Sequence, residues 1–411
     1  MSQHCPVEPI FRHQYGPLVA SLTRRVGPHQ LPLVEDAVQF AMMQALTFWV
    51  RTSIPSNPSA WLYTVAYRKL LTELRNDHHR QQLLYSQAEA NPTFTEPAEV
   101  PLPNEMSDDM LRLLFVTCSN TLAIESQLVF TLKSLCGLST REIAQRLYIS
   151  EANTHKRYSR ARQHLAQQPN LLDELAHNEL IQRLPAVLNV LYLMFTEGYL
   201  SSHNELAIRK DLCQEAIRLT TLLSEHLCQP ETLALLALMH LHASRIHERQ
   251  NELGHLRLME TQDRRQWDQH HIETGLQYLE KSASGDTLSR YHVEASIAAE
   301  HALAPDFAST RWDRIVKAYE LLERISPSPM ITLNKALATA EWKGPGAGLM
   351  ELNALNIPGW LERSYHWYAV KADLLIRSGD LSTAKPAVDR AIELAPSPMV
   401  KQALQTRFKL T

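Results

Sequence analysis

The chain has 411 residues, 45% of them hydrophobic and 21% charged, with a net charge of −3. That composition excludes a disordered or fibrous class and supplies core for two or three domains. The first residues lack a basic segment followed by an apolar run, no stretch of about 18 apolar residues occurs, and the five cysteines have neither CxxC nor metal-ligand spacing, so a cytoplasmic protein without membrane contact, disulfide frame, metal or other cofactor is expected.

Period-2 alternation bounded by turn residues is absent, while Ala, Leu, Glu, Gln and Arg dominate, so the fold is read as all α. The first block predicts helices near 10–26, 32–51 and 57–80. Val34, Val38, Met42, Ala45 and Trp49 recur at spacings of three and four, and Asn57 with Pro58 caps and opens the third helix. From residue 86 the chain turns Pro-rich and acidic without periodicity, which predicts a flexible linker over 86–107. A second helical block spans 108–168, and a third region runs from 169 to 411.

Charge is segregated along this order. Residues 1–168 hold 16 Lys/Arg against 14 Asp/Glu, and the remainder 25 against 30. Within the front part, residues 133–165 carry seven cations and two anions, whereas residues 86–125 carry one cation and seven anions. Only the basic stretch suits DNA.

That stretch contains STREIAQRLYISEANTHKRYSRARQHL, Ser139 to Leu165, which has the pattern of a helix, a tight turn and a second, basic helix. Thr154, Tyr158, Ala161 and Leu165 share the apolar face. The other face presents Asn153, His155, Lys156, Arg157, Ser159 and Arg160, a mixture of phosphate-binding cations and base-reading groups. Asn153, His155, Arg157 and Arg160 are expected toward the major groove, and Arg141, Lys156 and Arg162 toward phosphates; which cation reads a base stays open.

The rear region contains an internal repeat. Pro327-Ser328-Pro329-Met330 recurs as Pro396-Ser397-Pro398-Met399, 69 residues later, which is two periods of about 34 and matches the tetratricopeptide spacing. Ala372, Gly379, Ala384 and Ala391 are small where paired helices approach, and Ala336, Ala338 and Ala340 fall in a further repeat. Glu197, His240, His242, Asp263, Arg264 and His301 are scattered without HExxH or a comparable ligand spacing, so no enzyme is expected. His240 and His242 point to different sides of a helix and cannot share one ion. Gln262, Asp263, Arg264 and Trp267 read as a buried polar and aromatic junction between repeats.

Two helical blocks, an acidic linker and a terminal helix-turn-helix together resemble the bacterial extracytoplasmic-function sigma factors. VEDAVQFAMMQAL (Val34 to Leu46) is similar to that family's polymerase-binding helix, NPSAWLYTVAYRKLLTELR (Asn57 to Arg75) to its minus 10 reading and melting helix, and Ser139 to Leu165 to its minus 35 reader. YLMFTEGYL, DLCQEAIRLTTLL, QDRRQWD, ASIAAEHA and SPMITLNKALA resemble the subgroup with a large tetratricopeptide-like extension. The resemblance implies a region 2-like domain over 1–85, a region 4-like domain over 108–168, and a helical extension over 169–411 that regulates activity or binds a peptide or protein. Core RNA polymerase and promoter DNA are the implied partners, with Asp36 and Gln39 on the polymerase or simply solvated. Trp61, Tyr67, Arg68, Lys69 and Arg75 would hold an unstacked base and the single strand, although Trp61 is as well suited to core packing. Tyr148 in the turn, Thr154 in place of an aliphatic residue, and Tyr67, Arg68 and Thr72 in place of Arg, Asn and Asp depart from the family pattern and bear on promoter sequence rather than class. The competing reading is a stand-alone helix-turn-helix regulator that binds duplex DNA without polymerase.

Overall fold

The computed structural model describes residues 8–84, 103–118, 121–147, 149–167, 177–199, 208–250, 256–396 and 398–408. Regular structure among the described residues is helical, without a strand, and the chain divides into two compact units, 1–194 and 195–411.

In the first unit, α1 (Glu8–Val26), α2 (Leu31–Thr52) and α3 (Pro58–Leu84) lie within a few residues of the predicted spans. The expected stripe on α2 faces inward: Val34, Val38 and Ala45 are fully buried and Trp49 nearly so, with Met42 half-buried. The predicted cap forms at α3, where the Ala60 amide donates to Asn57 Oδ1 at 3.0 Å. Four helices follow: α4 (Pro103–Thr117), α5 (Ile124–Ser134), α6 (Thr140–Arg146) and α7 (Glu151–Ala166). Helix α4 starts five residues inside the segment expected as a linker; the rest of that segment, and Tyr148, lie outside the described residues. The seventh helix is followed by α8 (His177–Tyr199), which begins the region expected to be a separate extension but lies mostly in the first unit.

The two front blocks, expected as separate domains, pack into one unit because α1 is buried on two sides. Helix α1 lies against α2 and α3 on one side and against α4 and α5 on the other. Gly16 permits the second contact: a Cβ there would stand 1.8 Å from the Leu135 carbonyl oxygen. Arg24 of α1 donates to Asp109 of α4 at 2.7 Å, and Asp109 is only 4% exposed. Burial raises the Asp109 pKa, and Arg24 opposes that rise.

The second unit continues from the end of α8 through α9 (Lys210–His226), α10 (Pro230–Ala243), α11 (Gln269–Ser282), α12 (Arg290–Leu303), α13 (Trp312–Ile325), α14 (Pro329–Lys343), α15 (Pro345–Asn353), α16 (Tyr365–Ser378), α17 (Leu381–Glu393) and α18 (Pro398–Arg407). Helix α10 packs on α11 across a long connection, while α13 with α14 and α16 with α17 pack as hairpins joined by short loops. Helices α14, α16 and α18 begin 36 and then 33 residues apart, and each copy of the PSPM motif opens a helix, with Ser328 capping α14. Ala336, Ala338, Ala340, Ala372, Ala384 and Ala391 are all buried. Gly379 is not a close-approach residue: it ends α16 at φ 86° with open space about its Cβ position, so its role is the left-handed turn.

Candidate nucleic-acid interface

The basic hairpin is built from strong local signals. Ser139 Oγ accepts from the Glu142 amide at 3.2 Å while Glu142 accepts from the Ser139 amide at 2.6 Å, a reciprocal cap that starts α6. Ser150 caps α7 with a single bond, its Oγ accepting from the Asn153 amide at 3.2 Å. Thr154, Tyr158, Ala161 and Leu165 are all buried, so the opposite face is outward. On it His155, Lys156, Ser159 and Arg160 are exposed and Asn153 and Arg157 half-buried; Arg141 is exposed on α6. Among the described residues the cations Arg141, Lys156, Arg157 and Arg160 have no carboxylate partner, so their charge is unspent toward a polyanion.

Arg162, expected on a phosphate, lies between α7 and the first block. It turns toward the first block, where its guanidinium lies 3.9 Å from Glu35 of α2 and above the Tyr158 ring. Glu35, 4% exposed, is the hub: it accepts from Ser134 Oγ at 2.7 Å and from the Tyr158 hydroxyl in a shorter contact. Burial, then the Glu35 charge, raises the Tyr158 pKa, and the same pair of causes raises that of Tyr15. Lys133 sits 4.5 Å over the Tyr158 ring, and burial lowers its pKa. Sequence reasoning missed Glu35, although an acid in phase with Val38 and Met42 on an apolar stripe was the available signal.

On α3 the expected set splits. Tyr67 is packed rather than presented: it is 8% exposed, stacked at 6.0 Å on Tyr63, with Arg25 of α1 over both rings. The Tyr63 hydroxyl is pushed up to about 12 by burial. Trp61 is half-buried, edge-on to Trp49 at 5.4 Å and stacked on Phe48 at 6.1 Å. Arg68 and Arg75 are exposed, and Lys69 bridges to Glu73 at 2.5 Å while lying over Phe40.

Helix α2 carries a second surface that periodicity did not single out. Asp36, Gln39, Phe40 and Met43 share one outward face, with Phe40 36% and Met43 66% exposed and Leu46 beside them at 44%. Gln39 is tied to Tyr15 by a side-chain hydrogen bond. A contiguous apolar patch edged by an acid and an amide is the chemistry of a protein contact.

In the second unit, Gln262, Arg264 and Trp267 are buried as expected of a junction, but Asp263 is at the surface, capping a short turn and binding Arg265 at 2.9 Å. His240 faces His271 at 2.9 Å, whereas His242 packs against Phe195 and Tyr199, the divergence that their spacing predicts. No helix among the described residues is long and apolar enough to cross a membrane.

Comparison with known proteins matches residues 11–80 to sigma-70 region 2, residues 112–165 to sigma-70 region 4, and residues 183–283 to a family of unknown function, DUF6596. The uncharacterized protein R00370 of Rhizobium meliloti (strain 1021) is 34% identical over 389 residues, covering 92% of this chain and 90% of its own. The ECF RNA polymerase sigma factor SigJ of Mycobacterium tuberculosis is 30% identical over 162 residues, 38% of this chain and 50% of SigJ. A "Probable RNA polymerase sigma factor" of Haemophilus influenzae is 24% identical over 147 residues, 33% of this chain and 75% of its own. No solved structure matches.

Proposed function

Because the chain belongs to the family of R00370 and carries sigma-70 regions 2 and 4, we propose that it binds core RNA polymerase and directs promoter recognition and initiation. The observation that carries this reading is the pair of surfaces in one unit: an outward, unpaired cationic face on α6 and α7, and an outward apolar face with Asp36 and Gln39 on α2. Asn153, His155, Arg157 and Arg160 read the major groove of the minus 35 element, with Arg141 and Lys156 on phosphates. Trp61, Arg68, Lys69 and Arg75 act at the minus 10 element, with Trp61 supplying the aromatic edge and the cations holding backbone. Tyr67 and Arg162 join only once the contacts that occupy them are released. Asp36, Gln39 and the adjoining Phe40 and Met43 dock on the polymerase.

The helical second unit is read as a tetratricopeptide-like module that regulates this activity or binds a partner, supported by the spacing of α14, α16 and α18 and by its acidic balance. Run-off transcription with purified core polymerase on a promoter library tests the main reading: specific initiation that requires this protein is expected. Tight operator binding without core polymerase would instead indicate a stand-alone helix-turn-helix regulator. Deleting residues 200–411, which keeps α8 with the first unit, tests the module, since unchanged output in vitro and in cells would remove its regulatory role.

A further inference from the structure

The second unit holds a groove of about 220 Å3 between α12, α13, α14, α16 and α18, with residues 258–260 along one side. Two helix faces set its walls. Trp312, Ile315 and Tyr319 recur at spacings of three and four on α13, and Asn334, Leu337 and Glu341 do the same on α14, so each set lies on one side of its helix. Phe307, in the loop before α13, stands 5.0 Å from Trp312 with the rings edge to face, and His301 of α12 meets the same indole edge-on at 5.3 Å. This part of the lining is aromatic and uncharged, because burial pushes the His301 pKa down to about 3.

Toward α14, α16 and α18 the lining is acidic. Glu260, Glu341 and Asp373 stand there against Arg377 and Arg407, three carboxylates for two guanidiniums. The five charges form a chain that begins and ends on a carboxylate: Glu260 with Arg407 at 3.0 Å, Arg407 with Asp373 at 2.6 Å, Asp373 with Arg377 at 3.5 Å, and Arg377 with Glu341 at 2.6 Å. One negative charge is left over, and each terminal carboxylate has a single cationic partner among the described residues. A carboxylate can accept about four hydrogen bonds, and half-buried Glu341 accepts one, from Arg377. Arg264, whose charge acts on His301, stays outside the lining and directs its terminal nitrogens to the His301 and Ala304 carbonyls and to Thr310. An aromatic wall beside an uncompensated carboxylate is the chemistry that holds an organic cation, through the ring quadrupole and a charge-assisted hydrogen bond together.

We propose that this groove binds a small organic amine as its ammonium ion, with the charged nitrogen at Glu341 and its aryl or alkyl body against Phe307, Trp312 and Leu337. Its consequence for transcription rests on the regulatory reading above, whereas binding itself does not. The ammonium donates to the Glu341 carboxylate and brings the charge of the lining to zero. A neutral isostere keeps the apolar contact but forgoes the ion pair, and an acid meets the surplus carboxylate with like charge.

Isothermal titration of the full-length protein at neutral pH with 2-phenylethylamine, without polymerase or DNA, reads the site directly. Saturable binding is expected, about tenfold or more weaker for 2-phenylethanol, for 3-phenylpropionate and for methylamine, which lacks the apolar body. Glu341→Gln removes the charge and leaves Arg377 paired with Asp373, so the fold should persist while affinity falls about tenfold. Amide exchange of the unaltered protein gives the location whatever that variant does: the amine should slow it over residues 307–319 and 334–341. Absence of saturable heat up to about 10 mM, equal affinity for the alcohol or the acid, unweakened binding by a folded Glu341→Gln, or slowing confined to other segments overturns the proposal. So does acetyl-Ala-Lys-Ala-amide binding about tenfold more tightly than the amine, since the occupant is then a basic peptide.

Discussion

Replacing Tyr158 by Phe removes one oxygen from the contact between the two front blocks and leaves the ring in place. Phe130 still stacks on it at 5.8 Å, and Lys133 still lies above it. What is lost is a hydrogen bond to a buried carboxylate and a 3.2 Å contact with Ser134 Oγ, since Glu35 is 4% exposed and, among the described residues, keeps Ser134 at 2.7 Å and the more distant Arg162. Hydrogen bonds to charged groups contribute about 1.5–3 kcal/mol. Tyr158 and Ser134 donate to the same oxygen, Glu35 Oε1, which therefore keeps one donor, so the lower part of that range is expected. At about 1.4 kcal/mol per factor of ten, opening between α2 and α7 becomes about 10-fold more populated. Urea unfolding gives the energy, and amide exchange across 31–52 and 151–166 gives its location. A loss below about 0.5 kcal/mol, the range of inert surface changes, or faster exchange confined to the second unit, would refute the argument that Glu35 is a charged, buried acceptor. Glu35→Gln is the companion variant: it removes the charge, so Tyr158→Phe should cost less in that background.

Gly16→Ala places a Cβ against the Leu135 carbonyl and should cost about 3 kcal/mol or more, the top of the overpacking range, measured by the same urea titration; a neutral result would mean that α1 does not meet α5 there. Arg141→Ala with Lys156→Ala should leave the melting temperature alone, weaken promoter binding by the holoenzyme, and flatten the salt dependence by up to about two logarithmic slope units; an unchanged slope argues that neither cation touches a phosphate. Met43→Asp changes a residue that is 66% exposed, so stability should move by less than about 0.5 kcal/mol while co-purification with core polymerase falls; undiminished co-purification removes α2 from that contact. In the second unit, His242 and His301 are held neutral by burial, each pKa pushed down to about 3. The unfolded chain gains protons below its pKa of about 6.5 while the folded one does not, so stability is full above that pH and falls steadily as pH drops toward 3. Between pH 6.5 and 5 the loss is on the order of 2 kcal/mol per histidine, read as a falling melting temperature of the second unit that His242→Phe lessens.

Periodicity alone determined the helices and their caps. Apolar residues at spacings of three and four, and Asn before a helix, are local demands of backbone geometry, and Val34 to Trp49, Asn57 and the buried quartet of α7 satisfy them as read. The cationic face of α7 followed from the same periodicity, because the side opposite a buried stripe is outward. Tertiary structure decided which side chains remain available to a partner. Tyr67 is stacked under Arg25 and Arg162 is turned to Glu35, both through contacts more than 40 residues away in the chain, which no window along the sequence contains. The union of the two front blocks was equally invisible, since Gly16 is small for the sake of a carbonyl at residue 135, and that requirement exists only when the two helices meet.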